Sequence, residues 1–69
     1  MDKFGERLKR AREKKGITAY ILADLCDIPR SLVYDYETGK RIPRLDKAAS
    51  MSGYLGVSLD YLAGLSEKP

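Results

Sequence analysis

Residues 18–39 read TAYILADLCDIPRSLVYDYETG, and this stretch decides the fold. Two short helical patterns flank a break formed by Asp27, Ile28 and Pro29. Pro29 cannot continue the preceding helix but suits the start of the next one, because its φ is fixed and it has no amide proton. Asp27 tolerates the left-handed backbone region better than most residues do. The stretch therefore predicts two helices joined by a three-residue turn.

The apolar residues of this stretch fall on one face of each helix. They are Leu22, Ala23 and Cys26 in the first helix and Leu32, Val33 and Tyr36 in the second. Ala23 is small enough to lie where the two helices cross, and Ile28 can plug the turn between them. The second helix retains a polar face that begins with Arg30 and Ser31, which the core does not need. That face suggests a helix presented to a groove.

The flanking sequence predicts three more helices and no strands. The first runs from Asp2, a potential cap, to Lys15, with Phe4, Leu8 and Ala11 on its apolar face and Gly16 at its end. A fourth begins near Leu45 and ends at Gly56. Ser58 caps a short fifth helix whose inner residues are Leu59, Leu62 and Leu65, and the tail at 66–69 is expected to fray. We predict one all-α, five-helix domain over residues 1–69.

Composition excludes several classes of protein. The 69 residues include one cysteine and no histidine, so an internal disulfide or a Cys/His zinc site is not expected. Cys26 has no base to activate it and fits the reducing cytoplasm as a core residue. No apolar run approaches the roughly 18 residues of a membrane span. With no convincing carboxylate pair or phosphate-binding loop, we expect no enzyme, no metal and no cofactor.

Positive charge is concentrated in the first two thirds of the chain. Residues 1–44 have a net charge of +4, whereas residues 45–69 have a net charge of −1. The basic part contains the two-helix stretch, so a polyanion is its natural partner. The alternative interpretation is that the charge only solubilises a small domain.

The chain resembles the lambda-repressor and Cro-like (XRE) helix-turn-helix family of prokaryotes and phages. The resemblance rests on the register of Ala23 and Val33 around the break, and on three flanking stretches, FGERLKRAREKKGIT, YETGKRIPRLD and LGVSLDYLAGL. It covers about residues 4 to 65. It implies a lambda-repressor-like fold, and a small transcriptional regulator that binds near-palindromic double-stranded DNA as a homodimer.

The resemblance also implies roles for single residues. The third helix would lie in the major groove, with Arg30, Ser31, Tyr34 and Asp35 as base-reading residues. Arg30 suits guanine, and Tyr34 suits a thymine methyl group or a phosphate. Asp35 would accept a hydrogen bond from cytosine or orient Arg30.

Phosphate contacts are implied at two places beside the third helix. Lys40, Arg41 and Arg44 would meet phosphates from the loop, and Arg44 would approach the minor groove. The backbone amides at Ala19 and Tyr20 would do so from the start of the second helix. The family often has Gln where this chain has Ala19, and that Gln braces the first recognition residue. Ala19 cannot do so.

Two further pairings follow from the resemblance. Arg12 of the first helix and Glu37 near the end of the third would form a structural ion pair. The dimer surface would come from the C-terminal helices, with Tyr54, Val57, Ser58 and Tyr61 as candidates, although each could equally be a core residue or a singly exposed one.

A protein-interaction module, such as the antitoxin of a toxin–antitoxin pair, is the alternative function. Tyr20, Ile21 and Leu25 are apolar where the family is usually polar, and a contiguous exposed patch there would mark a protein partner's site. The competing interpretation is that these three residues are scattered or half-buried.

Overall fold

The computed structural model describes residues 3–69, which form five helices and, within that range, no strand. The helix bounds are α1 Phe4–Lys15, α2 Ala19–Cys26, α3 Arg30–Thr38, α4 Leu45–Leu55 and α5 Leu59–Ala63. The predicted all-α, five-helix fold is confirmed. The predicted cap at Asp2 lies outside the described residues, and Lys3 occupies the N-cap position of α1 without a side-chain hydrogen bond.

Helix ends follow the chemistry of their capping residues. The hydroxyls of Thr18 and Ser58 accept hydrogen bonds from the amides of Ile21 (3.1 Å) and Tyr61 (3.0 Å), which satisfies donors that the helices leave unpaired. Asp27 ends α2 in the left-handed region, with φ 55° and ψ 51°. It is the only non-glycine residue with positive φ among those described. The prediction for the turn is therefore confirmed in its backbone geometry.

One apolar core joins all five helices. Its fully buried members are Leu8, Leu22, Val33, Met51 and Leu62. Ala23 is also fully buried, and Ile28 is half-buried against the core beside it, as the α2–α3 crossing requires. Leu65 was predicted to be internal, and this was wrong, because its side chain is 80% exposed. The helix α5 ends at Ala63 because Gly64 adopts the left-handed conformation, and the chain leaves the core there.

The contact between α1 and α3 is close enough to require a glycine. A Cβ atom on Gly5 would lie 2.5 Å from the carbonyl oxygen of Glu37 and 2.7 Å from that of Tyr36. Both are backbone atoms of α3, so a side chain at position 5 would push the helices apart. Sequence periodicity gave no sign of this contact, because its partners lie more than thirty residues away.

Arg12 and Glu37 lie together beside this contact. Arg12 Nε and Nη2 donate to the two Glu37 carboxylate oxygens at 2.6 and 3.1 Å, and Nη1 donates to the Ile17 carbonyl oxygen at 2.9 Å. The side chains are only 14% and 6% exposed. The hydrogen bond to Glu37 raises the pKa of Arg12 above its ordinary value, so the guanidinium is charged at neutral pH.

Arg7 of α1 is a second buried cation. It is 6% exposed, lies 4.5 Å from the Tyr61 ring centroid, and donates to the Tyr61 and Ser66 carbonyl oxygens at 2.7 and 2.6 Å. It also pairs with Glu67 at 2.9 Å. Part of the tail expected to fray thus returns to α1 in this structure.

Candidate nucleic-acid interface

The turn between α2 and α3 fixes one helix against the other. The Ile28 amide donates to the Ala23 carbonyl oxygen at 3.0 Å, which closes the C-terminal end of α2. Pro29 occupies the N-cap position with φ −57° and ψ 139°, so α3 begins at Arg30 and not at the proline itself. Lys47 of α4 donates to the Cys26 carbonyl oxygen at 3.3 Å. The start of α3 therefore projects from a supported turn.

The first residues of α3 present an exposed face. Arg30, Ser31 and Tyr34 are exposed and Asp35 is half-buried. Together with Ala19 and Tyr20 of α2, these four residues line one open depression. The structure thus brings the four predicted base-reading residues and the two predicted phosphate-binding positions of α2 onto one surface.

Two side chains of α2 hold the Arg30 guanidinium. Its Cζ atom lies 4.8 Å from the centroid of the Tyr20 ring, and Nη2 lies 3.5 Å from Asp24 Oδ2. The exposed fractions of the Arg30 and Asp24 side chains are 58% and 64%. Sequence reasoning missed this arrangement. Its signal was the spacing of an aromatic residue and an acid one helical turn apart on α2, followed by an arginine at the start of α3.

Asp35 does not contact Arg30, although one of its two predicted roles required that contact. Its carboxylate lies 3.5 Å from Arg41 Nε. The chain turns at Gly39, and the amides of Lys40 and Arg41 both donate to the Asp35 carbonyl oxygen, at 2.9 and 3.2 Å. This turn brings the loop cation to the acid, whereas Asp24 supplies the carboxylate beside Arg30.

The predicted phosphate-binding groups come from the loop after α3 and from the start of α2. Lys40, Arg41 and Arg44 are exposed on the loop that follows α3, and Arg44 lies 3.6 Å from Asp46 at the start of α4. At the start of α2 the Thr18 hydroxyl takes the Ile21 amide. The amides of Ala19 and Tyr20 precede it in the first turn, where no helical acceptor is available. Both groups can therefore meet an anion.

Cys26 has the environment of a core residue. It is 4% exposed, and burial raises the pKa of its thiol. Because the neutral thiol is a poor nucleophile and a poor metal ligand, this environment opposes both kinds of chemistry. Among the residues that the structure describes, no group of three His, Cys, Asp or Glu side chains could hold a metal ion.

The three residues predicted to contact a protein partner do not all belong to the same surface. Tyr20, Ile21 and Leu25 are 61%, 46% and 44% exposed. The Tyr20 ring stacks on Arg30 and so belongs to the depression beside α3. Ile21 and Leu25 remain as a pair of half-exposed residues one turn apart on α2.

The predicted dimer residues differ in their burial. Tyr54 is 47% exposed, Ser58 is exposed and Val57 is half-buried. Tyr61 is only 9% exposed and stacks under Arg7, which is the core position that the sequence left open for this residue. The ring is required inside the fold, where it covers a buried guanidinium.

A different apolar surface lies at the α4–α5 end of the molecule. Leu45 and Leu65 are 74% and 80% exposed, and they flank a cleft that Phe4, Pro43 and Leu59 also line. The sequence pattern missed it because Leu45 and Leu65 fall at helix ends, where periodicity does not determine the buried side.

In residues 3–69 no helix has both the length and the apolar character needed to cross a membrane.

Comparisons with known proteins agree with this geometry. A helix-turn-helix family model matches residues 8–62. The SPbeta prophage-derived HTH-type transcriptional regulator YonR of Bacillus subtilis is 44% identical over 59 residues, which cover 86% of this chain and 55% of that protein. The HTH-type transcriptional regulator ImmR of the same organism is 38% identical over 64 residues, covering 93% and 50%. The chain thus spans about half the length of these relatives.

A solved structure gives the same result for the fold. The DNA-binding domain of the P22 C2 repressor, determined by nuclear magnetic resonance, superimposes with a TM-score of 0.83 and 25% identity. The match covers 96% of this chain and 90% of that domain. The family model, the relatives and this structure all match across the α2–turn–α3 unit. The chain belongs to the helix-turn-helix family of lambda-repressor and Cro-like (XRE) type.

Proposed function

We propose that this protein binds double-stranded DNA sequence-specifically, with α3 in the major groove, and so regulates transcription. One observation supports this most directly: the exposed Arg30, Ser31 and Tyr34 face of α3 is flanked by exposed loop cations and by the free amides at the start of α2. The relatives are named as transcriptional regulators and not as enzymes or antitoxins. We expect the protein to act in the cytoplasm, because these relatives come from a bacterium and bacterial DNA lies in the cytoplasm.

Each residue of the α3 face has a role that follows from its chemistry. Arg30 offers two parallel donors to O6 and N7 of guanine, and Ser31 can donate to or accept from a neighbouring base edge. Tyr34 packs on a thymine methyl group or donates to a phosphate. Asp35 can accept from cytosine N4 through Oδ1, because Arg41 Nε lies only beside Oδ2, at 3.5 Å.

Phosphate contacts position α3 without selecting a sequence. Lys40, Arg41 and Arg44 supply cations from the loop, and the amides at Ala19 and Tyr20 supply dipoles from the start of α2. The two groups come from different elements, the loop after α3 and the start of α2, so they would contact the DNA backbone at more than one place. Their contribution falls as salt rises, because binding releases counterions from DNA.

A homodimer would present two copies of α3 to successive major grooves. Two-fold symmetry would space them by roughly 34–36 Å on a near-palindromic operator. The α4–α5 cleft is the surface we assign to this contact, since Leu45 and Leu65 expose apolar area there and Arg44 adjoins it. Tyr54, Val57 and Ser58 would lie outside its centre. Leu45→Glu is expected to shift sedimentation from dimer to monomer, whereas Tyr54→Glu should leave the dimer intact.

Selection from a pool of random duplexes tests the function. The expected result is enrichment of a short two-fold motif, with affinity that falls steeply with salt concentration. Equal recovery of all sequences would contradict sequence-specific binding. A tight protein partner captured through Ile21 and Leu25, with no enriched motif, would favour the interaction module instead.

A further inference from the structure

Arg30 is constrained before any ligand is present. Tyr20 and Asp24 lie one helical turn apart on α2, and both face the first residue of α3. The guanidinium carbon lies 4.8 Å from the Tyr20 ring centroid, while one guanidinium nitrogen lies 3.5 Å from the Asp24 carboxylate. We call these two residues the Arg30 clamp.

The exposure of the clamp separates it from the structural ion pairs. The Tyr20 side chain and both charged side chains are more than half exposed, so solvent screens the pair and its contribution to folding is small. The Arg12 and Glu37 side chains, by contrast, are only 14% and 6% exposed and are joined by two hydrogen bonds. A contact that contributes little to the fold, placed on a predicted reading residue, calls for another explanation.

From this geometry we infer that Tyr20 and Asp24 are specificity-determining positioning residues, which aim Arg30 at a single base pair. The inference rests on the proposed DNA binding. Stacking occupies only the face of the guanidinium, so the in-plane N–H groups that do not face Asp24 stay open to a guanine edge. A flexible arginine could reach several bases or a phosphate, whereas a stacked one has fewer orientations. Tyr20 therefore restricts the orientations of the Arg30 side chain.

Asp24 weakens nonspecific contacts between Arg30 and DNA phosphates. Its carboxylate repels phosphate and offsets the charge of Arg30, so the clamped arginine gains less from a nonspecific phosphate contact. A guanine in the correct place presents neutral acceptors and does not repel the acid in the same way. Asp24 should therefore lower affinity for nonspecific DNA more than for the operator.

The test measures affinity for a selected duplex and for duplexes altered at single base pairs. Arg30→Ala first identifies the base pair that Arg30 reads, as the position at which preference is lost. Tyr20→Ala should then reduce preference at that same pair by roughly two- to fivefold, the range of an exposed cation–π contact. Tyr20→Phe keeps the ring and should restore it. Asp24→Asn should strengthen binding to unrelated DNA and shrink the ratio of specific to nonspecific affinity.

Controls separate positioning from stability and from charge. Glu6→Gln removes another exposed acid, from α1, and it should leave the preference at the Arg30 base pair unchanged. Melting temperatures of the Tyr20 and Asp24 variants should stay near that of the parent protein. If Arg30→Ala abolishes preference at one pair while Tyr20→Ala and Asp24→Asn keep it, the clamp is overturned and the proposed function stands. If the parent protein prefers no sequence, both are overturned.

Discussion

The two ends of α3 use charge in opposite ways. At the C-terminal end, Glu37 is buried and makes a bidentate pair with Arg12. At the N-terminal end, Arg30 is exposed and meets Asp24 only at 3.5 Å. A buried, saturated pair fixes a helix in place but has no capacity left for a ligand. An exposed, loosely paired guanidinium can exchange its partner, so the same helix is anchored at one end and, in the function we propose, reads DNA with the other.

The largest effect on stability is expected when the buried ion pair at the C-terminal end of α3 is broken. Glu37→Ala should lower the free energy of unfolding by roughly 3–5 kcal/mol, because Arg12 would keep a buried charge without its partner. Chemical denaturation measures this change. The double variant R12M/E37L removes both charges and should be nearly neutral by comparison. An unchanged unfolding midpoint in Glu37→Ala would contradict the anchoring role.

The next effect concerns the close contact beside that anchor. Gly5→Ala should lower the free energy of unfolding by roughly 1–3 kcal/mol, because its Cβ would meet two α3 carbonyl oxygens. Gly53 is the matched control, since it lies within α4 and has nothing within 4 Å of its Cβ position. Gly53→Ala should stabilise by about 0.5–1 kcal/mol through helix propensity. Equal effects of the two substitutions would argue against the contact.

Features that depend on neighbouring residues could be predicted from the sequence, whereas features that depend on distant helices could not. Helix bounds, the caps at Thr18 and Ser58, and the turn at Asp27 depend on neighbouring residues, so local patterns could predict them. Gly5 and Arg7 depend on partners in distant helices, and a pattern on α1 cannot indicate them. The Arg12–Glu37 pair was expected only through family resemblance.

The candidate site divides in the same way. Periodicity could predict that Arg30 and Ser31 lie on a free face, because the apolar positions of α3 determine which side is buried. It could not assign the acids, since Asp24 and Asp35 take their partners across the turn and the loop. The apolar surface at Leu45 was missed because a helix end has no fixed face.

A smaller effect concerns the exposed end. Arg30→Ala should change the free energy of unfolding by less than about 0.5 kcal/mol, as is usual for an exposed position. It should reduce discrimination at one base pair of each half-site by about 1–3 kcal/mol. Paired denaturation and duplex-binding measurements on one preparation give both numbers. A marked loss of stability would show that Arg30 belongs to the scaffold.

The smallest expected effect distinguishes a phosphate contact from a base contact. Lys40→Ala should weaken binding to all sequences about equally and reduce the salt slope by about one, because one phosphate contact is lost. Binding isotherms at several salt concentrations measure the slope. A change in sequence preference without a change in slope would place Lys40 among the reading residues.

The most direct test of the difference between the two ends is a nuclear magnetic resonance titration of the protein with its selected duplex. The account predicts the largest amide shifts at Arg30, Ser31 and Tyr34, with further shifts at Lys40, Arg41 and the start of α2. The Glu37 amide and the Arg12 side-chain resonance should move little. Large shifts at Arg12 and Glu37, with the start of α3 unmoved, would contradict the assignment of reading to the exposed end.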